Sequence, residues 1–119
     1  MYIMEPIKTE HGKVAFEFAN SIVNGNFSAA YELLTEQLKA EWDPNSLKEE
    51  YDEMIDYGEG PVTYIEVMNE MTDWPAKKEN DVGWAYVAMN GDGYGEAIAV
   101  VVCSDNNQLR IREIDWGRP

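Results

Sequence analysis

The spacing of apolar residues changes near the middle of the chain. In residues 1–60 apolar side chains recur every three or four positions, and in residues 61–119 they tend to alternate with polar ones. The first pattern is typical of amphipathic helices and the second of half-buried strands. The chain is therefore predicted to fold as a helical half followed by a sheet.

The first helix is predicted over Thr9–Asn24. Its apolar stripe has a helical period and consists of Ile7, His11, Val14, Phe18 and Ile22. The segment Asn24-Gly25-Asn26 is expected to end this helix, because Asn and Gly tolerate the left-handed conformation found at helix ends.

The segment that follows allows two interpretations. Ser28 is a candidate N-cap for a second helix over Ala29–Leu34. Thr35 either lies inside one continuous helix or interrupts it and caps a short helix that reaches Trp42. Both one helix and two are compatible with the sequence.

One more helix is predicted before the sheet. Ser46 and Glu49 fit a capping box, and Pro44 lies near the start, where proline is favoured. Gly58 is expected to end this helix.

Four strands are predicted, over Thr63–Met71, Val82–Met89, Tyr94–Ser104 and Gln108–Trp116. Short turns, among them Asn90-Gly91-Asp92-Gly93, imply antiparallel neighbours. In the first strand Ile65, Val67 and Met71 are expected on one face, and Glu66, Met68 and Glu70 on the other. In the last strand the apolar side chains change from one face of the strand to the other after Ile111. This change predicts a β-bulge near Arg112–Glu113.

The third strand is apolar on both faces. Ile98, Val100 and Val102 occupy one face, and Ala97, Ala99, Val101 and Cys103 occupy the other. Helices cover only one face of such a sheet, so we expect a homodimer in which a second copy covers the outer sheet face. In the alternative interpretation, strong curvature hides this face within a single chain.

Charge and length narrow the class of protein. The chain has 119 residues, with 23 Asp+Glu against 9 Lys+Arg and a formal net charge of −14. This length fits a single domain over residues 1–119, and the charge argues against nucleic acid and anionic membranes as partners.

Met1–Glu10 lacks a signal-peptide pattern and the longest apolar run is too short to span a bilayer, so a cytoplasmic location is expected.

The order of elements resembles the NTF2-like (SnoaL-like, cystatin-like fold) superfamily over nearly the whole chain. The resemblance rests on Asn24-Gly25-Asn26-Phe27, on the segment Ser28–Thr35 with its Leu-Leu-Thr ending, and on the closing strand Ile111–Trp116. It implies an α+β fold, in which N-terminal helices pack on one face of a curved antiparallel sheet. The family's domain is a cone with a pocket at its open end.

The resemblance does not settle the function, because the family includes isomerases, dehydratases and epoxide hydrolases as well as binding, assembly and toxin-immunity proteins. Its steroid-isomerase branch needs a tyrosine on the first helix, where this chain has Phe16 and Phe18. Its dehydratase branch uses His–Asp chemistry, which His11, the single histidine, matches poorly. No catalytic residue is carried over, and the interpretation leans against an enzyme.

Aromatic and acidic residues on the strands are the candidates for a ligand pocket. They are Tyr64, Glu66, Trp84, Tyr86, Glu96 and Asp115. The aromatic members are equally explained as packing residues of the core or of a dimer interface. A pocket enzyme acting on a small apolar molecule would need at least two of Tyr64, Glu66, Tyr86, Glu96 and Asp115 to converge in one cavity.

The segment Glu41–Glu59 carries eight acids and one base, Lys48. Most of these acids fall on one side of the helix predicted directly before the sheet. They include Glu49, Asp52, Glu53 and Asp56. Such a face is either a solubilising surface or a docking surface for a basic protein.

No spacing of residues typical of a metal site or a cofactor site occurs in the sequence. The leading hypothesis is a small non-catalytic binding protein, either an acidic immunity-type inhibitor of a basic partner or a small-ligand binder.

Overall fold

The structure, a computed structural model, describes residues 7–55, 61–91 and 94–117. Its helices are α1 (Glu10–Val23), α2 (Phe27–Glu32), α3 (Glu36–Lys39) and α4 (Pro44–Ile55), and its strands are β1 (Val62–Met71), β2 (Asp81–Gly91), β3 (Tyr94–Asp105) and β4 (Gln108–Trp116). The strands form one curved antiparallel sheet in the order β1-β2-β3-β4. Because α1 packs against β1 and β2, the predicted α+β architecture is confirmed.

Two threonines fix the helix starts. The hydroxyl of Thr9 accepts the backbone N–H of Gly12 (2.9 Å) and caps α1. The hydroxyl of Thr35 accepts the N–H of Leu38 (3.1 Å) and caps α3, so α2 and α3 are separate helices. At the end of α1 Gly25 adopts a φ of 77°, which confirms the predicted stop.

The structure corrects two of the predicted caps. Asn26, not Ser28, caps α2, since its side chain accepts the N–H of Ala29. At α4, Asp43 takes the capping role predicted for Ser46: its carboxylate accepts the N–H of Ser46 (2.7 Å), and the Ser46 hydroxyl accepts the N–H of Asp43 (2.9 Å). The helix thus begins at Pro44, the position where proline costs least. The predicted end at Gly58 lies outside the described residues.

The core lies between the helices and the inner face of the sheet, the face turned towards α1. Its helical part includes Phe18 and Ile22, both fully buried. The sheet contributes Ala85, Val87, Met89, Ile98, Val100, Val102 and Ile111.

A bulge in β4 confirms the predicted slip. Val102 pairs with Ile111 and Val101 with Glu113, which leaves Arg112 as the extra residue. Ile114 therefore lies on the same inner face as Ile111 and contributes to the core.

A second bulge, in β1, makes one expectation wrong. The register shifts between Val67 and Asn69, so Met68 is extra and is 58% exposed. Beyond it the faces exchange: Glu70 lies on the inner face and Met71 on the outer face, the reverse of the prediction.

The outer face of β3 is buried within the single chain. Ala97, Ala99 and Val101 are only 1%, 9% and 3% exposed. Half-buried Trp84 and Tyr86 lie beside Val101 and Ala99 on β2. This agrees with the alternative interpretation as far as β3 is concerned, while the homodimer stays a prediction.

We expect Phe18→Ala to lower the free energy of unfolding by about 3 to 5 kcal/mol, because it opens a cavity in a fully packed core. Urea denaturation followed by circular dichroism measures the loss. Phe16→Ala, at a half-buried position on the same helix, is the control and should cost less. Equal losses would show that the core does not lie along this side of α1.

Candidate functional site

A groove of about 560 Å³ lies at the end of the sheet that contains the β3–β4 turn. Its walls are residues 35–37 at the start of α3, residues 78–81 leading into β2, residues 103–106 at the end of β3, and Arg112. Backbone hydrogen bonds hold these walls, with Ser104 N–H donating to Asn80 and Thr35 N–H to Ile111, both at 2.9 Å. The groove is therefore preformed rather than made of loose loops.

An ion pair between Asp81 and Arg112 lies at this groove. Arg112 donates from Nε and Nη2 to the two carboxylate oxygens of Asp81 at 2.5 and 2.6 Å, and the Lys78 N–H donates to the same carboxylate at 2.8 Å. The Asp81 side chain is 1% exposed. Hydrogen bonding from Arg112 lowers the pKa of Asp81, and the same bond raises the pKa of Arg112.

The ion pair spans β3, which lies between β2 and β4. Cys103 is opposite Asp81 in the sheet register and is buried beside the pair. Burial, followed by the charges of Asp105 and Asp81, raises the pKa of the Cys103 thiol. A thiol with a raised pKa is a poor nucleophile, and both oxygens of Asp81 are engaged, so neither group is suited to chemistry on a ligand.

His11 is buried at the start of α1, 2% exposed. Its ring lies against Gly83, where an added Cβ would be 2.3 Å from the ring, so only glycine fits there. The ring hydrogen bonds to the Trp84 backbone, while Nε2 has no partner among the described residues. Burial lowers the pKa of His11 despite the nearby charge of Glu70. The geometry fits a packed, neutral histidine.

Glu70 anchors the start of α1 to the sheet. Its carboxylate accepts the Thr9 hydroxyl (2.5 Å) and the N–H groups of Thr9 (2.9 Å) and Lys8 (3.2 Å). Desolvation acts to raise the pKa of Glu70, but these hydrogen bonds outweigh it and lower the pKa. Gly12 allows this approach, since a Cβ there would collide with the carboxylate.

The structure places five of the six predicted pocket residues on the outer face of the sheet and one on the inner face. Tyr64 and Glu66 on β1, Trp84 and Tyr86 on β2, and Asp115 on β4 share the outer face, whereas Glu96 pairs with Met89 on the inner face. The rings of Trp84 and Tyr86 stack, with centroids 6.2 Å apart and planes at 25°.

The described residues also form three smaller cavities. Tyr64 lines one of about 260 Å³ between α1 and β1, and Glu96 lines one of about 230 Å³ beside α4. The third, of about 360 Å³, lies between the start of α2 and the start of α4. Each of the four cavities thus contains at most one of the residues that a pocket enzyme would have to bring together.

Aromatic side chains fill the space where the sheet curves around α1. The ring centroid of Trp116 is 6.3 Å from that of Phe18 and 5.7 Å from that of Trp42. Because Phe18 is fully buried, this part of the domain is packed rather than open.

The acidic surface of α4 consists of Glu49, Asp52 and Glu53, all exposed on the side opposite Leu47 and Met54. Lys48 Nζ lies 2.6 Å from Asp52, and the Asn45 amide donates to Glu49 at 3.1 Å. Glu53 has no ion pair within the described part of the chain. Asp56, the fourth predicted member, lies outside the described residues.

Residues 7–55, 61–91 and 94–117 contain neither a cluster of metal ligands nor a helix able to span a membrane. No three His, Cys, Asp or Glu side chains there are grouped so that they could hold a metal ion. None of the helices there has the length and apolarity needed to cross a membrane.

Sequence reasoning missed the groove and its ion pair. Asp81 and Arg112 are 31 positions apart, and no local pattern links them. The one available signal was the predicted bulge at Arg112, because a bulge redirects the side chain of the extra residue.

Comparison of the chain with protein-family models, with curated proteins and with solved structures finds no match in any of the three.

We expect Asp81→Asn to lower the free energy of unfolding by about 2 to 3 kcal/mol, because it removes the buried partner of Arg112 and leaves that charge only the exposed carboxylate of Glu113, 3.5 Å away. Thermal or urea denaturation measures the change. Asp52→Asn, which removes the exposed partner of Lys48, is the control and should cost less than about 1 kcal/mol. Equal effects would show that the groove pair does not stabilise the fold.

We expect His11 to make stability depend on pH. Its folded pKa lies below its ordinary value of 6.5, so the unfolded chain takes up the proton first as the pH falls. The free energy of unfolding therefore decreases as the pH falls through about 6.5 and continues to fall until the lower folded pKa is reached. His11→Asn should flatten this part of the profile in urea denaturation. An unchanged slope in the variant would contradict the assignment.

Proposed function

We propose that this chain is a small, non-catalytic NTF2-like binding protein that uses the acidic surface of α4 to recognise a basic protein, as an immunity-type inhibitor does. The observation that carries the proposal is the concentration of exposed carboxylates on one side of α4, opposite the side that fills the core. Such a surface on a chain of net charge −14 attracts a basic partner and speeds its encounter.

The chemistry of the interior also supports binding rather than catalysis. At the large groove Asp81 and Arg112 engage each other, and the raised pKa of Cys103 favours its neutral thiol. A pocket enzyme remains the alternative hypothesis. The four cavities favour it less, since none of them joins two of its required residues.

One observation favours a second candidate function, the binding of a small ligand. The groove of about 560 Å³ has the size of known small-molecule sites, about 300 to 1,000 Å³. Its preformed walls would lose little entropy when a ligand binds.

We expect the double variant Glu49→Lys/Glu53→Lys to slow association with the basic partner about tenfold at low ionic strength and to flatten the salt dependence of the rate, because electrostatic attraction acts mainly on encounter. Affinity capture from the native host identifies the partner, and stopped-flow mixing of the purified proteins gives the rates.

The matched control is Glu17→Lys/Glu79→Lys, which makes the same change of net charge at exposed positions away from α4. Its association rate should fall much less. An equal effect of both double variants would reject α4 as the docking surface. Reproducible turnover of a physiological substrate would overturn the non-catalytic assignment.

A further inference from the structure

The dipeptide Asn-Gly occurs twice in the chain, and the fold holds the two copies in different surroundings. Asn24-Gly25 lies between α1 and α2, and Asn90-Gly91 ends β2. Asparagine is a heat-labile residue, because the next backbone nitrogen can displace its side-chain amide. A following glycine favours this attack most, since no Cβ shields its nitrogen. The two copies thus present the same chemistry in two different places.

Asn24 and Gly25 lie in an open turn. Both residues are exposed. Gly25 has a φ of 77°, and no atom lies within 4 Å of the position that a Cβ would take there. The Asn24 side chain can therefore swing towards the Gly25 nitrogen without displacing a packed neighbour.

Hydrogen bonds of the last turn of α1 hold the Asn24 side chain and the Gly25 nitrogen in place. The Asn24 amide donates to the carbonyl oxygen of Asn20 at 2.8 Å and to its Oδ1 at 3.1 Å, and the Gly25 N–H donates to the carbonyl of Ile22 at 3.1 Å. These bonds are lost together when the end of α1 frays. Fraying of a helix end costs much less free energy than opening of the core.

Asn90-Gly91 is held by strands on both sides. Asn90 pairs with Tyr64 on β1 and with Gly95 on β3, because β2 is an inner strand. The Thr63 hydroxyl also donates to the carbonyl of Asn90 at 3.2 Å. Both residues of this dipeptide are half-buried. Attack by the Gly91 nitrogen therefore requires β2 to separate locally from its neighbours, which is a costlier opening than the fraying of a helix end.

We propose that Asn24 is a site of spontaneous deamidation in the folded protein, and that the sheet protects Asn90 in the identical dipeptide. The Gly25 nitrogen attacks Cγ of Asn24 and forms a bond to it, which closes a succinimide ring. The bond from Cγ to Nδ2 breaks, and Nδ2 leaves as ammonia with the proton of the Gly25 nitrogen. Water then adds to one of the two ring carbonyls and opens the ring to aspartate or isoaspartate. This inference does not depend on the proposed function.

The product changes the end of α1. Either acid loses the hydrogen bonds that the Asn24 amide donates to Asn20, and it places a negative charge at the negative end of the helix dipole. The last turn of α1, which is described in full, contains no basic residue to offset this charge. Isoaspartate also lengthens the main chain just before Asn26, the cap of α2. The deamidated protein should therefore melt about 3 to 6 °C below the fresh protein.

Peptide mapping by mass spectrometry tests the proposal after incubation of the wild-type chain at mildly alkaline pH. In the folded protein Asn24 should deamidate about tenfold faster than Asn90 or more, because only its turn opens readily. In urea the two rates should agree within about threefold, since the unfolded chain holds neither dipeptide. The unfolded sample thus serves as an internal control for the intrinsic reactivity of each copy.

Two variants test the reacting group and the effect of the product. Asn24→Ser removes the amide and should abolish the early mass gain of the folded protein. Asn24→Asp carries the product charge from the start and should lower the melting temperature, as measured by circular dichroism. Equal rates at Asn24 and Asn90 in the folded protein, or a faster rate at Asn90, would overturn the proposal. An Asn24→Asp variant as stable as the wild type would refute the predicted effect on α1.

Discussion

The sheet fits around α1 because its ladders are irregular at several points, and two of these bulges, one in β1 and one in β4, decide which side chains reach the core. A strand alternates its side chains between two faces, so one extra residue exchanges the faces of everything beyond it. In β4 the extra residue is Arg112, and the exchange brings Ile114 into the core. In β1 it is Met68, and the exchange turns Glu70 inwards, where it holds the start of α1.

The two bulges also explain which parts of the fold were predictable. The β4 bulge could be inferred, because Ile111 and Ile114 have opposite parity and both had to reach the core. The β1 bulge could not be inferred from the sequence. Met71 is compatible with either face, and Glu70 is a residue type expected to face solvent. The hydrogen bonds that Glu70 accepts from Lys8 and Thr9, 62 and 61 positions away, make its inward position favourable.

The helix caps and the site also divide into features that the sequence predicts and features that depend on distant contacts. Neighbouring cap residues compete, so choosing Asn26 over Ser28 depends on how the previous helix ends. The acidic side of α4 followed from helical periodicity alone. The Asp81–Arg112 pair joins strands whose register is fixed only by the folded sheet, and no sequence pattern marks it.

The position of Cys103, beside the ion pair and in the wall of the groove, allows access to the groove to be measured by chemical labelling. Cys103 is the single cysteine of the chain. Because Cys103 lines the groove and is 7% exposed, an alkylating reagent would approach its sulfur through the groove, and the raised pKa of the thiol would make the reaction slow. A molecule seated in the groove would block this approach, so the labelling rate reports on groove occupancy without an engineered probe.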